Sequence, residues 1–355
     1  MRVIFSIPHV SIGGAQRVCL NLIRWLQNNT DTKVLLIIGS KVEVDGFKYN
    51  LDGIDYIYLP KGWIDKIFKI RKETKKFQPD IYVTFGVPNC PFDILGTLSL
   101  GLKNIVCERN DPAHFAGKTI TKILSRLLMR FADGYVFQTY DARNFYGGKI
   151  AKQSVVIPNP LFFNKDQKED NLVINRDKII VTTGRLNKQK NHPLLIKAFK
   201  KVNELFPDYK LIIYGDGSER ANDEALINSL GLSEKVILPG AITNVLEVIR
   251  NASLFVMSSD FEGMPNSLME AMAVGLPCIS TDCPCGGPKS IIINNKNGIL
   301  VPVGDQEKLE KAMISIISNQ TLANKLSLES LKIRDTHSID AISNEWMEYF
   351  KIITS

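Results

Sequence analysis

Three observations predict an α/β protein of two doubly wound parallel-sheet domains, facing each other across a cleft and closed by a C-terminal helix. Short β-branched runs alternate with helix-period segments along the whole chain. The strands are near-continuous apolar runs, the pattern of a parallel sheet covered on both faces. One polar, charged stretch at residues 161–177 breaks the alternation and reads as a linker between two domains, 1–160 and 178–338.

In the first domain the expected order is strand 2–10, helix 15–27, strand 33–38, strand 56–59, helix 63–77, strand 81–85, helix 92–100, strand 104–108, helix 119–132 and strand 135–138. Residues 154–160, SVVIPNP, end it. The second domain has strands at 179–183, 210–214, 236–238, 254–257, 278–280 and 299–303, with helices between and after them. Over 339–353, Ile342, Trp346, Tyr349, Phe350 and Ile353 recur at helical spacing. That spacing predicts a closing helix packed on a neighbour, and residues 339–355 are assigned to the first domain. Open α/β sheets bind ligands at the carboxyl ends of their strands, so the chemistry is sought there.

Length and composition agree: 355 residues suit two domains, and 45% hydrophobic with 23% charged is ordinary for a soluble globular protein. No apolar run reaches the roughly 18 residues a membrane span requires. The first strand leads into Ser11 and glycines rather than a signal-peptide core, which predicts a cytoplasmic protein. The cysteines (Cys19, Cys90, Cys107, Cys278, Cys283, Cys285) are scattered, mostly in or beside apolar runs. Cys278, Cys283 and Cys285 lack a neighbouring histidine and zinc-site spacing, so no metal is expected. Residues 1–160 hold 22 Lys+Arg against 13 Asp+Glu, a net +9 within a total of +7, so the basic surface belongs to the first domain.

The stretch at 260–275, DFEGMPNSLMEAMAVG, sets Glu262 and Glu270 across a loop-to-helix junction. Pro265 suits a first helical position, from which the N–H groups of Asn266, Ser267 and Leu268 would face an anion. Glu270 is then expected in the first turn, facing outward, with Leu268, Ala271 and Met272 as the buried face. Three further strand-end loops stand out. SIGGAQR at 11–17 places Gly13 and Gly14 before a helix, which suits either an anion or a plain tight turn. GRLNKQKN at 184–191 offers Arg185 as a forked cation and Lys190 as a point charge beside a helix start, a fit for a diphosphate; Lys188 reads as solvated. In YGDGSER at 214–220, Gly215 and Gly217 leave room for a flat ligand against backbone.

In this order the loops resemble the retaining nucleotide-sugar glycosyltransferases of family 4, which have the GT-B fold of two Rossmann-like domains. The resemblance covers nearly the whole chain. It is carried by GRLNKQKN, YGDGSER, VILPGAITN, the glutamate pair with seven residues between, GLPCIS and GGPKSIIINNKNGILV, with GGAQRV and IPNP in the first half. The resemblance implies an acceptor-side first domain and a nucleotide-sugar-binding second domain. It places Arg185 and Lys190 on the donor diphosphate. The backbone of Gly263, Met264, Pro265, Asn266, Ser267 and Leu268, with Gly14 opposite, would surround the distal phosphate and sugar. Glu262 is placed on sugar hydroxyls, Glu270 on ribose hydroxyls, and Ile242 with the Gly215 loop against the base. Ionised carboxylates are acceptor-only groups, which suits hydroxyl partners.

The reaction implied is transfer of a hexose or N-acetylhexosamine with retention, with Glu262, Arg185 and Lys190 as the catalytic set and neither cofactor nor metal. UDP-sugars are favoured as donors, GDP-mannose next, and the acceptor would be lipid-linked or saccharide in bacterial surface glycan synthesis. Two departures stand out. Arg109 occupies the place where many members carry a histidine, and Gln16 stands where glutamate is common. Gly13, Arg109 and His114 are the candidate sugar or acceptor contacts; His114 reads as a loop histidine with no partner, and His9, His192 and His337 as structural.

Helices 63–77 and 119–132 are amphipathic and basic. Trp63, Ile64, Ile67 and Phe68 oppose Lys66, Lys69, Lys72 and Lys76; Ile120, Ile123, Leu124, Leu127, Leu128 and Phe131 run beside Lys118, Lys122, Arg126 and Arg130. The apolar stripes read as core and the basic edges as a hold on an anionic membrane surface, on the inner face of the cell membrane. Nucleic-acid binding is the rival for the basic surface, but no aromatic-rich strand motif or helix-turn-helix accompanies it. A sugar-nucleotide epimerase or a phosphorylase would keep the fold and change the chemistry.

Overall fold

The computed structural model describes residues 1–10, 13–41, 49–114, 119–163 and 176–355. Most of the expected linker, together with Ser11, Ile12 and Lys118, lies outside the described residues. The chain divides into two compact units, one comprising Met1–Pro160 with Ile339–Ser355, the other Leu161–Ser338.

The first unit is a seven-stranded, wholly parallel sheet. Its strands are β1 (Arg2–Ile7), β2 (Lys33–Ile38), β3 (Tyr56–Tyr58), β4 (Ile81–Phe85), β5 (Lys103–Cys107), β6 (Gly134–Phe137) and β7 (Ser154–Val156), in the order β3-β2-β1-β4-β5-β6-β7. β1 stops at Ile7, short of the expected Val10, where Pro8 brings no N–H to the ladder. SVV is a strand paired with β6 rather than a mere domain end. The helices Tyr140–Tyr146 and Gly148–Lys152 were not expected from periodicity; a Thr139 cap, whose Oγ1 accepts from the Ala142 N–H at 3.1 Å, starts the first of them.

The C-terminal helix Ile339–Thr354 completes this unit's core. Trp346 stacks on Phe85 at 6.3 Å and meets Phe350 edge-on, Phe350 touches Phe5, and Trp25 Nε1 donates to Asp340 Oδ1 at 2.9 Å.

Two helices correct the sequence reading. In Thr119–Leu128 and the turn after it, Ser125, Met129 and Ala132 face inward, while Ile120, Ile123, Leu127 and Phe131 are each more than half exposed. In Trp63–Phe77, Ile70 and Thr74 are buried, and Trp63, Ile64 and Phe68 are half exposed or more. The buried positions in each case are small or short-spaced residues at i, i+4, so the larger apolar stripe is left outside the core. Among the described residues no helix is long and apolar enough to cross a membrane.

Asp93, on the buried helix Cys90–Thr97, accepts from Ser6 Oγ at 3.0 Å and Tyr82 Oη at 2.8 Å. Burial outweighs these bonds and pushes its carboxyl up to about 6. A raised folded-state pKa means the native state binds the proton more tightly than the unfolded chain. This stabilisation is full below the ordinary carboxylate pKa and is lost as pH rises through about 6. Asp93→Asn should therefore gain on the parent by up to about 3 kcal/mol between pH 4 and pH 7 in urea unfolding. A pH-independent difference would contradict the assignment.

The second unit is a six-stranded parallel sheet: β8 (Asp177–Thr183), β9 (Lys210–Tyr214), β10 (Val236–Gly240), β11 (Ala252–Met257), β12 (Cys278–Thr281) and β13 (Ile299–Val301). The order is β10-β9-β8-β11-β12-β13. One face packs on Leu195, Phe199, Ile227 and Met313, the other on Leu268, Met272 and Ile291.

Candidate active site

In the second sheet the strand order reverses between the neighbours β8 and β11. The crevice outside such a switch point is where doubly wound sheets bind ligands. The loops leaving these two strands are 184–191 and 258–265, two of the stretches singled out in the sequence.

Loop 184–191 is fixed against its neighbour by backbone. The Gly184 N–H donates to the Tyr214 carbonyl at 2.9 Å, Leu186 N–H to Asp216 at 3.0 Å, and Glu219 N–H to Leu186 at 3.0 Å. Such approach requires glycine opposite. Gly215 (φ +146°) and Gly217 (φ +159°) lie against the carbonyls of Gly184 and Leu186, where a Cβ would collide. Arg185 is exposed at the end of β8, and Ile242, half-buried, follows β10.

Lys190 and Glu262 meet: Nζ lies 2.6 Å from Oε1. Ser259 Oγ donates to the same oxygen at 2.8 Å, and Gln189 Nε2 to Oε2 at 3.3 Å. The sequence reading set these two residues on different parts of a ligand, whereas the fold joins them in one ion pair. Asn191 Nδ2 donates to Asp260 Oδ1 at 2.7 Å, Asp260 N–H to the Gln189 carbonyl at 2.8 Å, and Ser258 Oγ to the Lys190 and Asn191 carbonyls. The two loops are thus bolted together along their length. Gln189, Ser258, Ser259 and Asp260 were missed from sequence; their only signal was adjacency to Lys190 and Glu262.

The helix beyond is Asn266–Ala273, with Pro265 at its N-cap rather than its first turn and no side chain capping it. Gly263, Met264 and Pro265 are buried, Asn266 and Ser267 half-buried, and Leu268 is buried. Gly287, the first residue of the helix Gly287–Ile291, lies so close to the Gly263 carbonyl that a Cβ would collide with it. Glu270 corrects the sequence reading: as the fifth residue of the helix it lies in the second turn, and only 5% of it is exposed. Leu268 to Ala273 are all buried, so Glu270 is enclosed rather than turned out to bulk solvent. Glu262 is similarly enclosed, at 7% exposed. Cys283 sits within electrostatic reach of the ion pair; burial, reinforced by the Glu262 charge, pushes its thiol up to about 12, which keeps it protonated.

The Lys190–Glu262 pair, exposed Arg185, buried Glu270 and a helix start without a side-chain cap all belong to the loops and helix that follow β8 and β11. The cations and N–H groups suit phosphate, and the carboxylates suit hydroxyls.

The remaining candidates belong to the first unit. Gly13, at the N-cap of the helix Gly14–Asn29, accepts from Tyr49 Oη at 3.1 Å, and Gly14 is exposed. Gln16 folds over Gly13, its Nε2 3.4 Å from His9 Nδ1. Arg109 turns into the core: its guanidinium lies 4.1 Å from the Phe85 ring centre and 5.3 Å from that of Trp346, with Nη1 3.5 Å from Asn159 Oδ1. Its Nε and Nη2 are buried, and burial draws its pKa below that of free arginine. His114 does have a partner, contrary to expectation, with Nδ1 2.6 Å from Asp111 Oδ2. Glu108, beside Arg109, was missed; it accepts from Tyr146 Oη at 2.8 Å and from the Arg109 N–H at 2.9 Å, and burial raises its pKa.

Residues 163–332 match the family model Glycosyl transferases group 1. The chain is 26% identical to an uncharacterised glycosyltransferase of Methanocaldococcus jannaschii, covering 91% of this chain and 89% of that protein. It is 24% identical, over 98% of both chains, to a Campylobacter jejuni protein named GalNAc-alpha-(1->4)-GalNAc-alpha-(1->3)-diNAcBac-PP-undecaprenol alpha-1,4-N-acetyl-D-galactosaminyltransferase. Among solved structures, Anabaena HepE in complex with UDP and glucose superposes with a TM-score of 0.84 at 16% identity, covering 99% of this chain and 100% of that one. The fold of two Rossmann-like α/β domains is that of the GT-B glycosyltransferases.

Proposed function

We propose, from the premise that the chain is a glycosyltransferase with a Glycosyl transferases group 1 domain at residues 163–332, that it moves a hexose or N-acetylhexosamine from a nucleoside diphosphate sugar with retention of configuration. UDP-sugars are the favoured donors and GDP-mannose the next. The acceptor is a lipid-linked or saccharide chain in bacterial surface glycan synthesis. The observation that carries the reading is the Lys190–Glu262 pair, 2.6 Å apart at the switch point of the sheet. Support for the donor comes from Anabaena HepE, solved in complex with UDP and glucose, and for the acceptor from the Campylobacter relative, whose name includes PP-undecaprenol.

In this reading the bond from the anomeric carbon to the distal phosphate oxygen breaks while the acceptor oxygen bonds to the same face of that carbon. The acceptor's proton passes to the leaving phosphate. Charge building on the diphosphate is met by Arg185, Lys190 and the N–H groups at the start of helix Asn266–Ala273. Glu262 holds sugar hydroxyls and Glu270 the ribose. Glu262 already accepts from three side chains, which suits a fixed acceptor rather than a nucleophile. The anomeric configuration of the first-formed product, read by NMR, tests retention. An inverted product, or a glycosyl adduct trapped on Glu262, would contradict the route. Sugar-nucleotide epimerisation in the absence of any acceptor would favour the rival chemistry.

The first unit would meet an anionic membrane through helices Trp63–Phe77 and Thr119–Leu128. This is supported by exposed Trp63, Ile64, Phe68, Ile120, Ile123, Leu127 and Phe131, flanked by Lys66, Lys69, Lys122, Arg126 and Arg130. Apolar side chains with a cationic rim match the acyl boundary and the phosphates of an anionic bilayer together. Ile123→Asp with Leu127→Asp should weaken co-sedimentation with phosphatidylglycerol vesicles by about tenfold. Binding by the parent that is indifferent to anionic lipid content would remove the proposal.

A further inference from the structure

We infer that Asp223 and His192, a buried pair behind the donor loops, are positioning residues that set Lys190 and, through it, Glu262; this rests on the donor-binding reading above. Asp223 is 0% exposed and His192 3%. Asp223 Oδ2 lies 3.7 Å from His192 Nδ1, and neither that nitrogen nor either Asp223 oxygen has a hydrogen-bond partner. The helices that carry them, His192–Leu205 and Arg220–Ser229, also give Leu194, Phe199 and Ile227 to one apolar core. A carboxylate there is costly, and an apolar residue of similar volume would pack without that cost.

The place of the pair explains what the cost secures. His192 opens its helix directly after Asn191, whose backbone is left-handed at φ +46°, and Lys190 comes just before. On one side the segment is held to the end of β11: Asn191 to Asp260, Ser258 to the Lys190 and Asn191 carbonyls. On the other side the backbone bonds of Gly184, Leu186 and Glu219 hold the start of the loop, and Asp223 faces His192 at its end. Asp223 stands on the helix that follows the Gly215–Gly217 loop, so the pair ties the loop after β8 to the loop after β9. Lys190 is thereby clamped from both sides, with its Nζ on Glu262.

The test compares the parent with Asp223→Leu, Asp223→Asn, His192→Leu and the double leucine variant, using UDP as the binding probe. Asp223→Leu should melt no lower than the parent, bind UDP about tenfold more weakly, and raise donor KM while kcat changes by less than about threefold. Asp223→Asn, which keeps a polar group of the same size facing the imidazole, should recover most of the affinity. The double variant should bind no more weakly than either single one, because the pair acts as a unit. Amide exchange over residues 188–192 should quicken by about tenfold in Asp223→Leu. That readout needs no turnover, so it tests the clamp even if no donor binds the parent. Unchanged exchange, or single losses that multiply in the double variant, would overturn the inference. A parent that exchanges as expected yet binds no nucleotide would instead overturn the donor reading.

Discussion

Glu262→Ala is expected to lower glycosyl transfer by about 10²–10³-fold, the scale seen when one preorganised electrostatic contact is removed from an active site. The carboxylate is fixed by Lys190 at 2.6 Å, Ser259 at 2.8 Å and Gln189 at 3.3 Å, so it needs no reorganisation to meet a sugar hydroxyl. Its removal also frees the Lys190 ammonium, which loses the partner that aims it. The effect should fall on kcat and KM together, since one change disturbs both sugar and phosphate contacts. Glu262→Gln should retain part of the activity because the amide oxygen still accepts from Ser259 and Lys190. Steady-state kinetics with a far-UV CD control separates this from misfolding. Activity within threefold of the parent would remove Glu262 from the site.

Gly215→Ala should cost at least about 3 kcal/mol of stability and abolish nucleotide binding. Two independent penalties coincide: the backbone is at φ +146°, which L side chains rarely adopt, and a Cβ would strike the Gly184 carbonyl. Relief requires the loop after β9 to move away from the loop after β8, which breaks the Gly184 to Tyr214 and Leu186 to Asp216 bonds. Gly231→Ala is the control. Its φ of +71° is strained too, but nothing stands within 4 Å of the added atom, so a loss of about 1 kcal/mol is expected. Equal urea midpoints for the two variants would show that the packing of the loops does not matter.

The two parallel sheets could be read from the sequence because their strands are apolar along nearly their whole length and their helices keep a 3.6 period. Strand ends were less legible: Pro8 truncates β1, and SVV becomes a strand only by pairing with β6. Arg185, Lys190, Glu262 and the 263–268 backbone stood out because glycine, proline and charge cluster at strand ends. That Lys190 and Glu262 touch is not visible along the chain, since 72 residues separate them and only the adjacency of β8 and β11 brings them together. Burial of Glu270 depended on how many neighbours cover its helix, and exposure of the Ile120 to Phe131 stripe on which side Ser125 and Met129 pack. Periodicity gives a helix two faces without saying which one the sheet takes.

The central claim is that the loops after β8 and β11 bind a nucleoside diphosphate sugar. A panel of UDP-, GDP-, ADP- and CMP-sugars, scored by melting temperature and nucleotide release on the parent, Arg185→Ala and Glu262→Ala proteins, tests it most directly. The expected result is a rise of several degrees for a UDP-sugar, as a ligand at about 100 times its Kd gives some 2.7 kcal/mol, strongly reduced in both variants. If no nucleotide sugar shifts the parent, or if both variants respond as it does, the site lies elsewhere and the account fails.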